Sequence, residues 1–180
     1  MMGEETFHPD TRALLQYGRA LAGGPSPPHA GGADAVVERL FVLEHIPAKE
    51  GWGRLSIRSF GQELIALFGR DLKETDFADL WLKGDLALLN AFLAACAGAG
   101  EPGILRVAAE AETGDRLGAE VLLTPLAPIP SQAERYLGLF QPLGGEAFWG
   151  GRSIARLRLG SLHPPKAKLP RPVRLVVSNA

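Results

Sequence analysis

The chain has 180 residues, 46% hydrophobic and 22% charged, with a formal net charge of −1. A single domain of this length buries roughly 70% of its unfolded surface and needs no covalent staple. Near-neutral charge supplies no overall field for nucleic acid or anionic lipid, and the single cysteine, Cys96, excludes an internal disulfide and any multi-cysteine metal site.

The opening, MMGEETFHPD, is acidic and polar, whereas a secretory signal starts basic and continues into an apolar run. No stretch of about 18 apolar residues occurs, so no membrane span is expected and a cytoplasmic location is. Residues 9–22 read as a short amphipathic helix. Pro9 suits the first helical position, and Leu14, Tyr17 and Leu21 follow i, i+3, i+7 spacing. That narrow stripe either covers an open sheet face or pairs with a second copy, which makes Leu14, Tyr17 and Leu21 the candidate interface. Gly23 to Pro28 stops the helix and Gly31-Gly32 extends the linker. The chain thus divides into a helix and linker over 1–33, a core over 34–145 and an extension over 146–180.

Leu40 to Leu43 reads as a buried strand, and Arg54 to Arg58 alternates like a half-exposed one. Gly61 to Phe68 makes a two-turn helix that Gly69 stops, and Thr75 to Trp81 is a short, irregular helical piece. Asp85 can cap a longer helix from Leu86 to about Ala97. Leu86, Leu89, Leu93, Cys96 and Ala97 share one face, while Leu88, Phe92 and Ala95 widen the apolar arc. A helix this apolar must lie against a sheet. Ile104 to Ala111 and Leu117 to Leu126 then flank the turn signal Thr113-Gly114-Asp115. Tyr136 to Phe140 supplies a third strand, and Ala155 to Leu159 alternates once more. The end, 163–180, reads as a basic, proline-rich, extended tail.

Strands at both ends of the core with helices between them predict an α+β fold: a five-stranded antiparallel sheet with helices on one face. The wording of the segments adds to this. "HPDTRALLQY", "LSIRSFGQELIALFGRDLKETDFADLW", "RLGAEVLLTPLAP", "RYLGLFQPLGG" and "FWGGRSIARLRL" together resemble an alphaproteobacterial family of single-domain PAS proteins over roughly residues 8 to 162. Two departures stand out. Gly18 takes the place of an aromatic after Tyr17, and "GGADAVVERL" replaces a more acidic, isoleucine-rich approach to the first strand. The resemblance implies a sensory or regulatory domain that acts on other proteins, with histidine kinases the leading partner class and helical flanks that form dimers. No catalytic output module is expected, since the residues after Leu162 are too few to fold alone.

Cofactors are not expected. Haem needs an axial histidine on or beside the long helix, and His8, His29, His45 and His163 all lie elsewhere. A flavin photosensor needs a reactive cysteine in a polar loop before that helix, whereas Cys96 sits late within it among alanines. Phosphate-loop and dinucleotide fingerprints and metal-ligand spacings are missing from the sequence.

Four residues are candidates for a ligand pocket: Trp81, Asn90, Leu93 and Glu120. Asn90 falls on the inward stripe of the long helix, where an amide must find hydrogen bonds. Trp81 reads first as packing. Glu110, Glu112 and Arg106 share a strand face that reads as solvated. Glu120 depends on register, because a one-residue slip turns every side chain over. A three-residue hairpin loop leaves Ala119, Val121 and Leu123 inward and Glu120 outside, and a two-residue loop reverses this; the exposed reading leads. Three functions follow: a non-enzymatic signalling domain working through protein contacts, a sensor holding a small apolar ligand, and a small α+β isomerase or hydrolase with Glu120 as base.

Overall fold

The computed structural model describes residues 6–23, 36–51, 53–145 and 149–166. The linker and the basic tail read from the sequence lie almost wholly outside those residues. Among the described residues the α-helices are α1 (Pro9–Leu21), α2 (Gln62–Phe68) and α3 (Leu86–Ala99). Six strands form one sheet: β1 (Leu40–Ile46), β2 (Arg54–Phe60), β3 (Gly103–Ala111), β4 (Arg116–Pro125), β5 (Arg135–Pro142) and β6 (Ile154–His163). Their spatial order is β2-β1-β5-β4-β3-β6, and every pairing is antiparallel. The α+β expectation holds, with one strand more than the five expected. The alternating segment near residue 155 is that sixth strand, longer than its pattern suggested and paired along the whole of β3.

Alternation sorts the strand residues onto two faces. The inner face presents Phe41, Leu43, Leu105, Val107, Ala109, Leu117, Ala119, Val121, Leu123, Tyr136 and Phe140 to α2, α3 and the segment between them. Leu89, Phe92, Leu93 and Cys96 supply the buried side of α3. Leu88 and Ala95, which widened the apolar arc on paper, are exposed, so the helix is greasier than its contact requires.

The connection between α2 and α3 closes this layer. Its Glu74 and Thr75 exchange hydrogen bonds with Ile57 on the outer edge of β2, at 2.8 and 3.0 Å. Seven residues after Thr75, the Leu82 amide donates to the Leu157 carbonyl of β6 at 2.9 Å. The Asp85 carboxylate accepts from the Leu159 amide at 2.8 Å. Asp85 therefore does not cap α3 with its side chain, as its position suggested; it satisfies a sheet edge instead. Unpaired strand edges template unwanted pairing, and here one strip of chain covers both. Phe77, Leu80 and Trp81 point inward from that strip, with the Phe77 ring 5.7 Å from Phe41 and 5.6 Å from Trp81.

On the outer face α1 covers the sheet, one of the two roles its stripe allowed, and it is the side of the helix turned inward that needs correction. Helices occupy one face only between β2 and β3; α1 lies on the other, across β4 and β5. Its sheet-facing side is Thr11, Leu15 and Gly18, with Leu14 half-buried beside them. Leu15 packs with Ile104, Leu122 and Leu139. Tyr17 and Leu21, the rest of the predicted stripe, are each 46% exposed. Gly18 explains the rotation. A Cβ there would stand 2.6 Å from Thr124 Oγ1 and 3.1 Å from Pro102 Cγ, so only a residue without a side chain lets the helix lie this close. The aromatic expected at this position would not fit.

Two substitutions test that phase. Gly18→Leu forces the helix off the sheet and should lower unfolding stability by about 1–3 kcal/mol in urea titration. Tyr17→Ala, one residue away on the outer side, should change it by less than about 0.5 kcal/mol. Equal losses from both would mean that α1 is not docked this way.

Candidate functional site

The interior of the inner layer is nearly full. A cavity of about 20 Å³ remains, lined by Phe41, Ile57, Leu64, Phe68, Leu72, Phe77, Leu80, Val121, Phe140 and Leu157. That is room for about one water molecule, and its walls offer no polar side chain to hold one. A second hollow of about 90 Å³ opens between β2 and α3, with Arg54, Asp76 and Asn90 among its lining residues and Phe77 as the wall shared with the first. Asn90 itself is exposed, a correction to its inward placement. The buried stripe of α3 runs through Leu89, Leu93 and Cys96, and Asn90 falls one step around from it, at the rim.

Leu93 is buried at the base of the same hollow. Trp81 is buried beside Phe77 and bridges to Leu157, a packing role rather than a place in either cavity wall. Cys96 is fully enclosed, and burial pushes its thiol up to about 12, far from a reactive thiolate. Tyr136 is buried nearby and its phenol is likewise pushed up to about 12, chiefly by desolvation. Among the described residues, no group of three or more His, Cys, Asp or Glu side chains could hold a metal ion.

Glu120 lies on the opposite face of the sheet from these cavities, so the four candidates do not form one site. Glu110 pairs with Arg116 and the Ala111 amide donates to Asp115 at 2.9 Å, which leaves three residues in the hairpin loop. Gly114 supports this turn, since its φ of +88° is one that side chains rarely adopt. The register is therefore the one that puts Glu120 outside. It is nevertheless only 1% exposed, because the start of α1 sits on top of it. The His8 amide donates to Glu120 Oε2 at 3.0 Å, and Arg106 Nε stands 3.6 Å from Oε1. Parity was readable; the cover was not.

This carboxylate is the foot of a latch. Arg106 also donates to the Thr6 carbonyl at 2.7 Å and lies over the Phe7 ring, 5.1 Å from its centroid. Phe7 meets His163 edge-on at 5.0 Å, and His163 is held below its usual value by desolvation and then by Arg106. Arg39 spans Asp10 of α1, Glu63 of α2 and Gln141 of β5. A carboxylate beneath the first turn also suits the positive end of a 13-residue helix, typically by 0.3–1 kcal/mol. Glu120, Arg106 and Arg39 thus fix how α1 leaves the sheet, with Tyr17 and Leu21 facing out.

Glu110 is the other covered acid. Its residue is 3% exposed, yet what shields it is three arginine side chains rather than packed core. Arg156 donates to it at 2.9 Å, and Arg116 and Arg158 form ion pairs with it at 3.0 and 3.1 Å. The hydrogen bond from Arg156 is the largest influence holding this carboxyl below its ordinary 4.5; desolvation opposes it, and the charges of Arg158 and Arg116 add to the lowering. A depressed folded value means stabilisation that is complete above the ordinary carboxylate range and disappears as pH falls through the folded value. The melting-temperature gap between the native protein and Glu110→Gln should therefore be full near neutrality and close below pH 4.5. A gap that persists unchanged to about pH 2 contradicts this role.

Comparison with known proteins bears on the whole of this architecture. A family model for the PAS domain, PAS_5, matches residues 6–141, from the latch to the end of β5. No curated protein matches the chain. Among solved structures it is similar to a fungal LOV-domain photoreceptor, at 18% identity and a TM-score of 0.49, over 73% of this chain and 88% of that one. It is also similar to a light-oxygen-voltage domain studied with a flavin analogue, at 13% identity and a TM-score of 0.47 over 64% and 83% of the two chains. A third is the blue-light photoreceptor Aureochrome1 LOV in its dark structure, at 9% identity and a TM-score of 0.45 over 69% and 91%. Identities this low carry over none of those proteins' chemistry. The family match spans α1, every residue lining the two cavities except Leu157, and five of the six strands, and the chain belongs to the PAS domain family of sensory and signalling modules.

Proposed function

We propose that the chain is a non-enzymatic, cytoplasmic signalling adaptor that works by protein contact, with histidine kinases the leading partner class and a second copy of itself the next. The observation that supports this most is α1. Its inner side is pinned by Glu120, Arg106 and Arg39, while Tyr17 and Leu21 stand out together on a helix held rigidly in place. An amphipathic helix offering apolar anchors at i and i+4 is a common way to present a docking ridge. Among the described residues, no helix is long and apolar enough to cross a membrane.

The alternative of a small-ligand sensor has the two hollows in its favour. At about 20 and 90 Å³ they are well below the roughly 300 Å³ at which ligand pockets begin, so Phe77 would have to swing away to admit a metabolite. The enzymatic alternative asked for Glu120 in a cleft beside a second polar group. Glu120 lies under α1 and lines neither hollow, which favours the anchoring role.

Site-specific photo-crosslinking in the native cell tests the adaptor reading. A crosslinking side chain at Tyr17 or Leu21 should capture a histidine kinase or a second copy, and one at Lys83, beside the opposite face, should capture neither. Capture at all three positions alike, or at none, contradicts the proposal.

A further inference from the structure

The outer face of the sheet carries a second constellation, beyond the reach of α1. Arg156 of β6, Glu110 of β3 and Arg116 of β4 stand in one cross-strand row, and Arg158 is two residues along β6 from Arg156. Each arginine approaches Glu110 through its Nε, at 2.9, 3.0 and 3.1 Å for Arg156, Arg116 and Arg158. A guanidinium has further donors on its two Nη atoms. Among the described residues these make no hydrogen bond in Arg116, Arg156 or Arg158, all of which are half exposed. One carboxylate against three guanidiniums leaves two positive charges uncompensated within the cluster. The neighbouring acids alter this little: Asp115 is engaged by Arg152 at 3.0 Å and by the Thr113 hydroxyl, while Glu112 points from the exposed turn.

The ground beside the cluster is low. Arg158 pairs across to Ala108, which pairs to Gly118, and a Cβ on Gly118 would meet nothing nearer than Leu143 at 4.0 Å. Arg106, with Phe7 against it, forms the far bank. β6 begins at Ile154, beyond residue 141 where the family match ends, so two of the three arginines stand outside the matched residues.

We propose that this patch is a docking site for a phosphorylated segment of a partner protein, the phosphate monoester resting on the Nη groups of Arg116, Arg156 and Arg158. A dianion with three acceptor oxygens matches two unbalanced charges and three donor forks better than a single carboxylate does. Nucleic acid would call for a stripe of cations tracking successive phosphodiesters, and this cluster is compact with acids at its border. A free phosphate would be left half in water on so open a face, whereas a peptide can lay its backbone over Ala108 and Gly118. The patch shares no residue with the Tyr17–Leu21 ridge, so the two proposals can fail separately.

NMR titration of the full chain, following the arginine Nε–Hε signals, tests it. The probes are an Ala/Gly heptapeptide with central phosphoserine, the same peptide unphosphorylated, and inorganic phosphate. The phosphopeptide should shift the signals of Arg116, Arg156 and Arg158 and bind about 10-fold more tightly than either other probe. The double substitution Arg156→Gln, Arg158→Gln should abolish that preference, and Arg58→Gln, in a separate ion pair, should not. Because loss of two arginines could also unsettle Glu110, the opposite change serves as a second variant: Glu110→Gln removes the competing charge and should tighten phosphopeptide binding about 3-fold. Equal binding of the two peptides, inorganic phosphate binding as tightly as the phosphopeptide, or no gain in Glu110→Gln would overturn the assignment.

Discussion

The constraint on which this fold depends is the strip from Glu74 to Asp85. A six-stranded sheet has two open edges, and this one stretch of chain satisfies both, at Ile57 on β2 and at Leu157 and Leu159 on β6. Closing the edges curls the sheet around the inner layer. It also drives Phe77, Leu80 and Trp81 into the space that the curl creates, which is why so little cavity is left. The interior is filled by the chain's own side chains, and the surfaces become the more informative part of the molecule.

On the outer face, two different kinds of chemistry divide the sheet. Around Ile104, Leu122 and Leu139 it is apolar and covered by α1, and close approach at Gly18 makes that contact tight. Toward the β3–β4 turn it is charged and, among the described residues, uncovered, organised about Glu110. Glu120 and Arg106 mark the border, and Thr6 to His8 are held there by hydrogen bonds between their backbone and those two side chains, with Phe7 packed alongside. The apolar half fixes how α1 presents its outer ridge, and the charged half is the patch proposed to receive an anionic partner segment.

Much of the architecture was legible because period and punctuation agree along the core. The strands appear where alternation is clean, α3 where apolar density is high, and the hairpin where Thr-Gly-Asp demands a turn. What escaped depends on neighbours distant in sequence. The phase of α1 was read from hydrophobicity, which favours Leu14, Tyr17 and Leu21, but closeness of approach chose Thr11, Leu15 and Gly18. The supposed anomaly at Gly18 was in fact the signal for that choice. Asp85 has the sequence position of a cap, and only the path of β6 reveals its amide partner. Asn90 differs from a buried residue by one step of 100° around α3, less than the apolar density there can resolve. Glu120 shows the limit most clearly: strand parity gave its side of the sheet, and burial came from a helix more than a hundred residues away.

The central claim is that this PAS domain signals through its surfaces, with its interior closed by the Glu74–Asp85 strip and the Phe77 cluster. Native mass spectrometry of protein purified from its own host measures this most directly. The account predicts masses of the chain and its assemblies alone. A stoichiometric small molecule that survives purification, and leaves when Phe77 or Leu80 is changed to Trp, would contradict it.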